Sequence, residues 1–111
     1  MHKRLFIVIA VFSISSALAD SVKDMCLGPD KVCTCAASKL KSEIGDEDYV
    51  LYEAIGTSYI ANKSKGMSME DAWDAAVKAE ASKRGAGFIK TLNKTNSFGS
   101  ELNNAIISCS G

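Results

Sequence analysis

The chain has 111 residues, with 13 basic against 13 acidic side chains, 47% hydrophobic and 7% aromatic residues, and one proline, Pro29. That length holds one domain, and the balanced charge gives no broad field to draw in nucleic acid or an anionic membrane surface. The sole histidine is His2, in a leading segment that reads as an export signal.

In that segment Lys3 and Arg4 form a basic start, Leu5 to Phe12 an apolar run, and Ala17 and Ala19 the small residues of an A-x-A cleavage site. The run falls short of the about 20 residues a permanent span requires. Residues 1–19 are therefore expected to be a cleavable signal peptide, and residues 20–111 a single periplasmic or secreted domain without stable membrane insertion. Losing His2 has the larger chemical consequence, because it removes the commonest general base near neutral pH and the usual partner of a serine or cysteine nucleophile. It also removes the commonest zinc ligand. Catalytic triads and histidine-containing zinc sites are excluded from the processed domain, and no cofactor or metal is expected.

Beyond the signal the apolar residues recur with helical period. Asp30 opens a first helix to about Ile44, with Val32, Cys33, Ala36, Ala37, Leu40 and Ile44 on one face and Gly45 as its stop. Asp46 opens a second to about Lys65, carrying Val50, Leu51, Ala54, Ile55 and Ala61 as its main stripe, with Gly66 beyond. Ser68, with Asp71 three residues on, is a capping-box variant for a third helix whose stripe is Met69, Ala72, Trp73, Ala76 and Val77, ending at Gly85. A short turn or helix is expected around Phe88 to Leu92. A separate last helix then runs from Ser97 or Phe98 to Cys109. No stretch alternates with period two, so strands are not expected. Such short helices need one another to be stable, and the predicted fold is all-α: a small disulfide-stapled bundle of four or five short helices.

Four cysteines, Cys26, Cys33, Cys35 and Cys109, fit an oxidising compartment and an even set of bridges. Pairing Cys33 with Cys35 would close a strained ring and is set aside. Helical faces favour Cys33 with Cys109 and Cys26 with Cys35, with Cys35–Cys109 and Cys26–Cys33 close behind, since a one-turn shift of the helix start removes the distinction. Either way one bridge closes most of the domain and the other a local loop. The competing use of Cys33-Thr34-Cys35 is thiol–disulfide exchange, although redox pairs more often have two intervening residues.

The acidic groups Asp46, Glu47, Asp48 and Glu70, Asp71, Asp74 sit at helix starts, where the backbone dipole favours anions, and need no catalytic explanation. The second helix is less ordinary. Behind its main stripe lies another, Tyr52, Gly56 and Tyr59, flanked by Tyr49 and Ile60. One reading makes it the buried second side of a central helix. The other makes Tyr49, Tyr52, Gly56, Tyr59 and Ile60 an exposed aromatic strip with a glycine notch that receives a partner helix, a peptide or an apolar ligand.

In size and class the chain is similar to small bacterial periplasmic proteins, among them acid-stress chaperones and immunity proteins, though no motif carries that similarity. The functional expectation is a non-enzymatic helical protein, chaperone-like or inhibitor-like, that binds a macromolecular partner or a small apolar ligand. The alternative is a thiol–disulfide protein working through Cys33 and Cys35.

Overall fold

A computed structural model describes residues 21–111; the expected signal peptide, 1–19, lies outside them. Five helices follow in order: α1 (Ser21–Met25), α2 (Asp30–Ile44), α3 (Asp46–Ser64), α4 (Met69–Lys83) and α5 (Phe88–Ser110). Among the described residues there is no strand, and the molecule is a small all-α bundle stapled by two disulfides.

Glycine sets the corners. Gly45, at φ 91°, is the only residue between α2 and α3, and its N–H closes α2 by donating to the carbonyl of Lys41. At the ends of α3 and α4 the chain turns through Gly66 (φ 96°) and Gly85 (φ 66°), a conformation that side chains rarely adopt. Each carries the paired Schellman bonds: Met67 N–H to Asn62 and Gly66 N–H to Lys63, then Ala86 N–H to Ala81 and Gly85 N–H to Ser82. The Ser68 hydroxyl accepts the Asp71 N–H at 3.1 Å, so the expected cap of α4 is formed. Asp30 and Asp46 do not cap. They lie inside the first turns of α2 and α3, after Pro29 and Gly45, where they still face the positive end of the helix dipole.

The helices pack as two pairs. Helices α3 and α4 form a hairpin, pinned where the side-chain amide of Asn62 donates to the carbonyl of Ala72. Helix α2 lies along α5, the start of one meeting the end of the other at the Cys35–Cys109 bridge. Between the pairs sits the core, in which Leu40, Ile55 and Val77 are completely buried. Each such side chain contributes about 1.5–3 kcal/mol.

Two expectations are corrected. The break foreseen before Ser97 is absent, and α5 is one helix of 23 residues. Asn93, Asn96, Ser97 and Gly99 are poor helix formers, which is what the sequence signalled. Packing overrides them: Phe98, Leu102 and Ala105 join the core, and fully buried Thr95 satisfies its hydroxyl by donating to the carbonyl of Thr91 at 2.9 Å.

The disulfide pairing is also the reverse of the one favoured above. Cys26 bonds Cys33 (Cα–Cα 5.7 Å) and Cys35 bonds Cys109 (Cα–Cα 6.1 Å). Because α2 begins at Asp30, Cys33 lies in its first turn and faces back over the loop from Cys26. Cys35, about 200° further round the helix, points towards α5 instead.

Helix α1 was not anticipated. It brings Val22 wholly into the core, and Ser21 Oγ donates to the carbonyl of Glu53 on α3 at 2.8 Å. With the Cys26–Cys33 bridge and the Lys23–Asp30 ion pair (3.1 Å), this fixes the short N-terminal helix between α2 and α3.

Candidate functional site

Fixing α1 creates a cleft. It has a volume of about 680 Å³, within the range of small-molecule sites, and opens between the end of α1, the middle of α3, the start of α4 and the middle of α5. Its wall is an aromatic cluster. Trp73 stands edge-on to Tyr52 (centroids 6.0 Å apart, 67°) and to Tyr59 (5.5 Å, 72°), and Tyr52 stands edge-on to Phe98 behind it (5.8 Å, 86°). Ring pairs of this kind are favourable in their own right, which makes the wall rigid. The opposite side is formed by α5, where Gly99 leaves space beside Leu102 and Ile106. Flexible apolar side chains frame the mouth: Met25, Leu27 (94% exposed) and Met69 (66% exposed).

Polar groups at the cleft are few. Tyr52 is only 3% exposed, its hydroxyl lies 3.7 Å from where a side chain on Gly99 would begin, and it has no hydrogen-bond partner among the described residues. Burial pushes the Tyr52 phenol up to about 12, so near neutral pH it is a hydrogen-bond donor and not an anion. The indole Nε1 of Trp73 is buried and likewise unpartnered among the described residues. Asn96, Asn103 and Glu70 stand at the rim, and among the described residues no lysine or arginine lines the cleft.

The residues singled out in the sequence divide. Tyr52 and Tyr59 meet in the cleft wall. Tyr49 is buried elsewhere, at the α2–α3 corner under Lys41, whose Nζ lies 5.8 Å from its ring centre. Burial, followed by the nearby Glu53 carboxylate, raises the Tyr49 phenol to about 12. Ile60 is half-buried and does not line the cleft. The Gly56 notch is filled by Met25 of the same chain, not left open for a partner helix. The strip is thus mostly the inward face of a central helix, whereas Val50, assigned to the core stripe, is 55% exposed. Trp73, placed in the apolar stripe of its helix, is half-buried and shared between core and cleft.

Met25, Leu27, Gly99 and Ile106 were missed. The α5 signal was present as Asn96, Gly99, Asn103 and Ile106, a small-and-polar edge beside an apolar stripe, but the expected break hid its continuity.

The other candidate chemistries lie apart from the cleft. Each of Cys33 and Cys35 has its own disulfide partner. Asp46, Glu47 and Asp48 occupy the first turn of α3, with Asp48 paired to Lys94 at 3.1 Å, while Glu70 and Asp71 occupy that of α4 and only Glu70 reaches the cleft rim. Among the described residues no helix is long and apolar enough to cross a membrane. Searches against protein-family models, curated proteins and solved structures return no match to this chain.

Proposed function

We propose that the protein is a non-enzymatic, periplasmic or secreted binding protein that takes a small apolar ligand into the α1/α3/α4/α5 cleft. The observation that carries this reading is the aromatic wall of Tyr52, Tyr59 and Trp73, opening to solvent through an apolar mouth in a domain too small to leave such area uncovered without consequence. Two disulfides support it, since they fit an oxidising environment and hold the walls in place.

The chain has one tryptophan, and it stands in the cleft wall, so its emission reports occupancy directly. Titration with the uncharged dye Nile red is expected to quench Trp73 saturably. Gly99→Leu is the control: it places bulk in the cleft while improving the helix propensity of α5 by up to about 1 kcal/mol. A folded Gly99→Leu protein that binds the dye as well as the parent does would reject the cleft as the site.

A further inference from the structure

The geometry points to the Tyr52 hydroxyl as the polar anchor of this cleft, and to an uncharged lipophile bearing a hydrogen-bond acceptor, such as a ketone or ester, as its ligand class. This rests on the cleft being the binding site and goes on to say what chemistry it selects.

Three observations converge. The first is a donor without an acceptor: Tyr52 is almost wholly buried, its hydroxyl ends over Gly99 at the cleft lining, and nothing among the described residues bonds to it. The ring is buried while the hydroxyl is not sealed from solvent, so water serves it in the free protein and an incoming acceptor can take that water's place. The second is the orphaned Nε1 of Trp73, a further donor sealed within the same wall and reachable only if the wall yields. Both unpartnered groups donate, so the complementary ligand accepts.

The third concerns charge. A carboxylate would bring acceptors too, but among the described residues no basic side chain lines the cleft, and the one charged group at its rim is Glu70. An anion would lose hydration without gaining a counter-charge, and Glu70 would repel it. A quaternary ammonium group meets a different obstacle. It carries no lone pair, so it would leave the Tyr52 hydroxyl without an acceptor. What remains is a neutral acceptor on an apolar body, with the body against the rings and the flexible Met25 and Met69 closing over it.

The test is displacement of Nile red by three nine-carbon probes, methyl heptyl ketone, nonane and nonanoate, on the parent and on Tyr52→Phe. This substitution removes the hydroxyl and keeps the ring. On the parent the ketone should displace the dye about fivefold more effectively than either competitor, the range set by one net hydrogen bond. On Tyr52→Phe that advantage should vanish, each displacement being referred to the dye affinity measured on the same protein, because Nile red carries a carbonyl of its own. The infrared carbonyl stretch of the bound ketone should shift to lower frequency on the parent and lose the shift on the variant, which a purely structural role for Tyr52 would not produce. Equal displacement by ketone and nonane on both proteins, with dye binding still blocked by Gly99→Leu, overturns the anchor while the cleft stands. Preference for nonanoate overturns the charge argument. Dye binding unaffected by Gly99→Leu removes the cleft reading and this inference with it.

Discussion

The thioether of Met25 ends directly over Gly56: a Cβ built on that glycine would lie 2.7 Å from the methionine methyl carbon and 3.1 Å from its sulfur. Ser21 Oγ is the next neighbour, at 3.4 Å. The missing side chain on α3 is therefore what lets α1 lie flat against it, and α1 in turn supplies one lip of the cleft.

Substitution at Gly56 should accordingly be graded by size. Gly56→Ala displaces only the free end of a flexible side chain and is expected to fall within about 1 kcal/mol of the parent, helped by the better helix propensity of alanine. Gly56→Leu must push Ser21 aside as well, an overpacking that costs about 1–3 kcal/mol. Amide exchange at Val22 to Met25 should rise in the leucine variant only. Unchanged exchange there would show that α1 does not depend on the notch.

The two disulfides should differ in weight. Loop-entropy arithmetic assigns about 2.4 kcal/mol to a bridge across 7 residues and about 4.5 to one across 74. Cys35→Ser with Cys109→Ser should lower the thermal midpoint far more than Cys26→Ser with Cys33→Ser, the first loss approaching the whole stability of so small a domain. The second pair should instead weaken dye binding, because it frees the lip of the cleft. Equal melting midpoints for the two double variants would contradict this division.

Tyr52 separates ring from hydroxyl. Its ring contacts both Trp73 and Phe98 and is nearly inaccessible, so Tyr52→Ala should cost about 3–5 kcal/mol in urea denaturation. Tyr52→Phe removes no bond within the described residues and should change stability by less than about 1 kcal/mol. Half-buried Tyr59, truncated to alanine, should fall between the two. A large loss on Tyr52→Phe would reveal an internal partner for the hydroxyl.

Alkali should unfold the protein through its buried phenols. Tyr49 and Tyr52 are raised in the folded state from 10.0 to about 12, so their contribution to stability is complete below pH 10 and declines as pH climbs towards about 12. The unfolded chain releases these protons first, which fixes the sign. Phenolate absorbance followed alongside circular dichroism should show part of the tyrosine signal appearing only with unfolding. Full ionisation of all three tyrosines in a still-folded protein would refute the burial argument.

Where local chemistry decides the structure, the sequence was informative. Gly45, Gly66 and Gly85 stop their helices at the expected places, and the Ser68–Asp71 cap forms, because each depends on residues a few positions away. Where distant packing decides, it was not. The continuity of α5 through Asn93 to Gly99 depends on α2 and the core, and the choice of Cys35 over Cys33 for Cys109 depends on how α5 lies against α2, since α2 starts at Asp30 as expected. Of the site, the tyrosines were visible as surplus apolar area on one helix. Their cleft was not, since its lip comes from a five-residue helix with too short a stripe to show a period.

The Cys35–Cys109 bond also changes what a protease can do to this molecule. Every exposed interhelical turn after α2, at Gly45, at Lys65 to Ser68 and at Arg84 to Gly87, lies inside the ring that it closes, and the Cys26–Cys33 bond ties the N-terminal helix to the same body. A single cut at any of those turns opens the ring without releasing a fragment, so the clipped chain migrates as one molecule until it is reduced. Damage at a corner therefore leaves every helix still tethered to its neighbours.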